Sequence, residues 1–184
     1  METSIHIGLS PEILSEISDA YKENDYITII GDEVNTKGAV GFLLNTAKDD
    51  NKKIVQIDVP KPKDLFTNDL DNRMIFDLFK KSFYDADLEL ADVDSMQPNV
   101  FNSLRKSIMK GIQPTLVVLA NIQNLPNDYG EGLILFIRSI YQIRTRIENA
   151  RNIQFVLVGE KDPNEIRNTK SRRTPYNIGT KVRL

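Results

Sequence analysis

Residues 26–38, Tyr26-Ile27-Thr28-Ile29-Ile30-Gly31-Asp32-Glu33-Val34-Asn35-Thr36-Lys37-Gly38, decide how the rest of the chain reads. The first five form an apolar, largely β-branched run closed by a glycine, which is the composition of a buried strand. A polar loop is expected next, and Ala39 to Ala47 then reads as a helix. Strand, glycine, polar loop and helix form the setting of a phosphate-binding loop, whose pattern is G-x-x-x-x-G-K-[ST]. Gly31 and Lys37 stand at the first glycine and the lysine. Thr36 replaces the second glycine, and Gly38 replaces the hydroxyl residue. A β-branched residue restricts the backbone that would wrap phosphate oxygens. Gly38 has no side chain with which to hold Mg²⁺. Asp32 and Glu33 add two carboxylates that repel an anionic ligand. Two readings stay open: a surface loop closing a strand–helix turn, or residual phosphate binding through Lys37 and the helix N-terminus.

Working outward, Ser10-Pro11 reads as a helix start, with Ser10 as cap and Pro11 in the first turn. Ile13, Leu14, Ile17, Ala20 and Tyr21 follow at helical spacing, and Asn24-Asp25 breaks it. Lys53 to Val59 reads as a second strand, stopped by Pro60 and Pro62. Residues 64–111 read as two helical pieces. Ile75, Leu78, Phe79 and Phe83 share one face, and Val100, Phe101, Leu104 and Ile108 another. Phe76, Phe79 and Phe83 read as core, and the acidic stretch 85–94 as a solvated connection. Pro114 introduces a third strand, Thr115 to Ala120. Leu133, Phe136, Ile137, Ile140 and Ile147 make one stripe of a long helix, with Arg138, Arg144 and Arg146 on other faces. Gln154 to Val158 is a fourth strand, and Lys181 to Leu184 a fifth. Strands apolar throughout and separated by helices indicate a parallel sheet covered on both faces. One domain over 1–184 is expected, with residues 1–24 leading into its core.

The third strand bears on chemistry. A magnesium–triphosphate site of this kind needs an acidic pair at the strand's end to hold the metal and activate water. Here the strand runs into Ala120-Asn121, and neither can act as a base. Asp128, the next acid, reads as a loop residue. Asn121 therefore marks a degenerate acidic-pair position, as Gly31, Thr36, Lys37 and Gly38 mark a degenerate phosphate loop.

Four segments carry a family resemblance: LVVLANIQNLP (116–126), EGLILFIRSIYQIR (131–144), NIQFVLVGE (152–160) and RRTPYNIGTKVRL (172–184). Together they resemble AAA-like and STAND-type P-loop ATPases over about residues 25–184, most specifically in the C-terminal half. The resemblance implies a three-layer α/β sandwich with a five-stranded parallel sheet of order 5-1-4-3-2, of the ASCE type. It implies a chain ending where the ATPase core ends, without a winged-helix lid. It also resembles the inactive STAND domains of bacterial signalling and defence systems.

Composition limits the alternatives. The chain has 184 residues, 40% of them apolar, enough for one hydrophobic core. A net charge of −2 gives the whole molecule no electrostatic pull toward nucleic acid or an anionic membrane. With no cysteine and a single histidine, His6, thiol chemistry is excluded and a zinc site or histidine triad has almost no material. No signal peptide or membrane span is read, so a cytoplasmic location is expected.

The expectation is a catalytically inactive P-loop domain, not an enzyme, acting as an interaction or scaffold module. Protein partners or self-association are expected, with no cofactor and no membrane. The loop edge and the arginine-bearing helix are the candidate surfaces. An alternative keeps ATP binding through Lys37, Asp58, Asn121 and Arg173. A second places nucleic acid on the basic cluster Arg167, Lys170, Arg172 and Arg173, which otherwise reads as a solvated loop. Asp58 reads either as a ligand-orienting group at the sheet's carboxyl edge or as a turn cap before Pro60. Glu160 occupies a polar position after the fourth strand, and Tyr176 reads as a packing residue.

Overall fold

Proline at a helix start and a serine before it set the first element. In the computed structural model, which describes residues 8–61, 72–90, 100–125, 127–165 and 176–184, helix α1 spans Pro11–Lys22. The Ser10 hydroxyl accepts the Ile13 N–H at 3.4 Å. Asn24 turns the chain with φ 55°, a conformation asparagine tolerates better than most residues, and β1 follows at Ile27–Ile30. Next come α2 (Glu33–Asp49), β2 (Lys53–Asp58), α3 (Asn72–Asp85) and α4 (Val100–Gly111). Then β3 (Thr115–Ala120) leads through a short 3-10 turn (Ile122–Asn124) into α5 (Asn127–Ile143). A second 3-10 turn (Glu148–Asn152), β4 (Ile153–Gly159) and β5 (Thr180–Arg183) complete the order.

The five strands form one sheet of order β2-β3-β4-β1-β5, and every neighbouring pair is parallel. Read from the other edge, that is the expected 5-1-4-3-2. Central β1 and β4 are buried along their whole length, while edge strand β2 exposes Gln56 and Asp58. Successive side chains of a strand point to opposite faces. Val156 and Val158 accordingly join α1 and α2 through Ile17, Ala39 and Leu43. Phe155 and Leu157 join α3, α4 and α5 through Phe79, Phe83, Leu104 and Ile137. The sheet is thus the middle of three layers, with all five carboxyl ends on one edge.

Three sequence expectations change. The helix expected from Ala39 begins at Glu33, so the polar loop before it does not form. The long helix ends at Ile143, and Ile147 caps the following 3-10 turn while still packing on the core. The acidic connection is not wholly solvated: Leu88 is buried, and Asp87 pairs with Lys53 at 3.3 Å. His6, Asp92, Asp94 and the basic cluster Arg167, Lys170, Arg172 and Arg173 lie outside the described residues, as do the side chains of Phe76 and Asp128.

Candidate functional site

Open parallel sheets place ligands at the carboxyl ends of their strands. Here β1 leaves the sheet at Gly31, whose N–H donates to the Gly159 carbonyl at 3.1 Å. Asp32 then caps α2 from extended backbone, φ −67° and ψ 166°. Its Oδ1 accepts the Asn35 backbone N–H at 2.9 Å, and its Oδ2 accepts the Asn35 side-chain amide at 2.8 Å. The backbone N–H of Asn35, assisted by its side chain and by the Val34 N–H, holds the Asp32 carboxyl below the usual aspartate range. The positive end of α2 therefore already faces a negative charge from within the chain.

Thr36 is buried, and its hydroxyl donates back to the Asp32 carbonyl at 2.7 Å. Lys37 closes on Glu33 one turn earlier, Nζ to Oε1 2.6 Å, with both side chains exposed. That hydrogen bond and the opposite charge raise the Lys37 pKa and lower that of Glu33. Gly38 is an interior residue of α2. Gly31 has a packing reason of its own: a Cβ there would lie 2.8 Å from the Cβ of Leu184. Residues 31–38 thus make a strand end and a capped helix start, with the Asn35 amide taken by the Asp32 side chain and the Thr36 amide by the Asp32 carbonyl at 3.0 Å.

On the neighbouring strands, Asp58 of β2 lies opposite Ala120 of β3. Asn121 adopts the left-handed conformation, φ 57°, and donates its side-chain amide to Asp58 Oδ1 at 2.7 Å. Its own Oδ1 accepts the Gln123 amide at 3.3 Å. Asp58 is thus tied across to β3. Gln123 Oε1 is buried without a donor, and it sits where a Cβ on Gly159 would come within 2.6 Å of it.

These groups border a cleft of about 520 Å³ between α2 and the β2–β3 edge. Its wall gathers Gly31, Thr36, Lys37, Asp58, Asn121 and Glu160, but not Gly38. Val40 and Leu44 of α2 and Val118 of β3 supply an apolar floor that the sequence did not single out, although their spacing on the helix made it accessible. The overlooked cap at Asp32 also had a signal, a short acid directly after a strand and its glycine. Among the described residues, no group of three or more histidine, cysteine, aspartate or glutamate side chains is placed to hold a metal ion. Nor is any described helix long and apolar enough to cross a membrane. The residues fit magnesium–triphosphate poorly: the helix start carries its own carboxylate, and Asn121 is engaged with Asp58.

Comparison with known proteins bears on the fold. No protein family matches the chain, and no curated protein does. Among solved structures it is similar to that of the Aeropyrum pernix ORC2 protein in its ADP form, with a TM-score of 0.54 and 14% identity. The match covers 94% of this chain and 47% of that one, so this chain spans about half the length of that structure. The likeness speaks for the fold alone. Together with the strand order, it makes this a three-layer α/β domain with a fold similar to that structure's.

Proposed function

We propose that this domain keeps the P-loop NTPase-type fold without its phosphate chemistry, and serves as a protein-interaction or scaffold module in bacterial signalling or defence. The observation that carries this reading is the Asp32 carboxylate on the first turn of α2, where a bound phosphate would otherwise find its amides. Asn121 and Ala120, standing where phosphate chemistry needs carboxylates, support it independently. On this reading the protein works without a nucleotide or metal, and its partners are proteins met in the cytoplasm.

Thermal unfolding with and without ATP–Mg²⁺ tests it. A ligand at 100 times its Kd adds about 2.7 kcal/mol, an easily seen shift. No shift at millimolar nucleotide is expected, and no phosphate release. A second reading, a nucleotide sensor without efficient hydrolysis, draws on the cleft itself, which brings Lys37, Asp58 and Asn121 to the sheet's carboxyl edge. A nucleotide shift abolished by Lys37→Ala selects that reading, and measurable turnover overturns both.

A further inference from the structure

The cleft beside α2 has a chemistry of its own, and it is the reverse of an anion site. Its floor is aliphatic, from Val40, Leu44 and Val118. Its charged rim carries Glu33, Asp58 and Glu160 against Lys37 and Lys61. Lys37 is spent on Glu33 at 2.6 Å, and the charge of Lys61 also falls on Glu33. Asp58 accepts the neutral amide of Asn121 and lies within the field of Lys37, and Glu160 stands exposed after β4. Among the described residues, neither carboxylate has a cation within ion-pair distance. Val34, next to Glu33 in the first turn of α2, is 80% exposed, the most exposed large apolar residue described. An aliphatic floor and a rim that sets three carboxylates against two lysines call for an occupant that is both apolar and cationic.

We propose that the cleft between α2 and the β2–β3 edge is a docking groove for a partner protein's segment in which a lysine or arginine is flanked by aliphatic residues. The aliphatic side chains cover Val40 and Leu44, and the cationic head lies between Asp58 and Glu160. A volume of about 520 Å³ takes a few side chains and not a folded element, so the occupant is an extended stretch or a loop tip. This inference rests on the interaction-module reading and names the partner's chemistry.

The test uses the full chain and fluorescein-labelled decapeptides, one alternating leucine with arginine and one alternating leucine with glutamate, read by fluorescence anisotropy at physiological salt. The arginine peptide is expected to bind and the glutamate peptide not. Asp58→Asn combined with Glu160→Gln is expected to weaken binding on the order of tenfold. Asparagine at 58 still accepts the Asn121 amide, and circular dichroism checks that the variant folds. Glu16→Gln with Asp19→Asn, on the exposed face of α1, removes the same charge elsewhere and is expected to leave binding unchanged. Equal losses in the two double variants, or no binding of the arginine peptide, overturn the proposal. So does a change of oligomeric state on altering Asp58 and Glu160, which would make the occupant a second copy of this chain. ATP–Mg²⁺ melting of the same samples separates the two claims. A nucleotide shift with peptide binding intact sinks only the inert reading, and absent peptide binding with no nucleotide shift sinks only the groove.

Discussion

The Cβ of Leu184 fills the space over Gly31: a methyl built on the glycine would stand 2.8 Å from it, with the Leu184 carbonyl at 3.5 Å. The contact follows from β5 lying beside β1, where the Leu184 N–H donates to the Ile30 carbonyl at 2.8 Å. Gly31→Ala is therefore expected to cost about 1–3 kcal/mol in urea unfolding, as overpacking does. Leu184→Gly in the same chain should recover most of that loss, whereas Leu184→Ala should not, because the obstructing atom is the Cβ. Equal recovery by both would mean that the glycine is needed for some other reason.

Gly179 and Gly41 should respond in opposite directions to alanine. Gly179 has φ +71°, and a Cβ there would lie 2.0 Å from the Tyr26 carbonyl oxygen, which receives the Thr180 N–H at 2.8 Å. Backbone cannot yield as a side-chain tip can. Gly179→Ala should therefore detach the start of β5 and cost roughly 4 kcal/mol or more. Gly41 is interior to α2 with nothing within 4 Å of a built Cβ, so Gly41→Ala should stabilise by about 0.5–1 kcal/mol. Chemical denaturation of the two variants measures both.

Arg144 is placed by the sequence on a face of the long helix away from its apolar stripe. It folds inward instead: its guanidinium donates to the Asn24 carbonyl and lies 4.9 Å from the Tyr26 ring centre and 5.5 Å from that of Tyr141. The Asn24 amide in turn donates to the Arg151 carbonyl at 2.6 Å. The arginine thus ties the end of α5 to the turn before β1. Arg144→Lys keeps the charge but loses the planar fork, and about 1–2 kcal/mol of stability is the expected loss. An unchanged denaturation midpoint would mean that the guanidinium does not hold the end of α5 to that turn.

The strands were legible because burial on both faces leaves an unbroken apolar run, as at Leu116-Val117-Val118-Leu119 and Phe155-Val156-Leu157-Val158. Their order was not readable from such runs and came from the resemblance. The first helix was legible because Ser10 and Pro11 act locally. The start of α2 was missed for the opposite reason: Glu33, Asn35 and Lys37 carry no apolar period, and the helix start is held by the Asp32 cap and the Glu33–Lys37 pair. Gly31 fits a phosphate-loop pattern in sequence, but its close neighbour is Leu184 at the other end of the chain, a contact no local pattern encodes. The Asp58–Asn121 bond was hidden in the same way. Only pairing β2 with β3 brings the two residues together.

The Asp32 cap makes stability depend on pH in a defined direction. The Asn35 N–H holds the folded carboxyl below its ordinary value. A group with a depressed folded pKa contributes stability that is fully present above the unfolded value, about 3.9 for aspartate. That contribution is lost as pH falls through the lower, folded value. Asp32→Ala should therefore melt below the parent at neutral pH, and the gap should close on acidification below about pH 4. Asp32→Asn retains a capping oxygen without the charge, so it should keep much of the melting temperature and lose this pH dependence. The same variants examine the site. Removing the internal carboxylate leaves the first amides of α2 open to an external anion, so inorganic pyrophosphate should raise the melting temperature of Asp32→Ala and leave the parent unmoved. A pyrophosphate shift in the parent itself would mean that the capping carboxylate does not keep anions away, and the case for a site closed by its own side chain would fail.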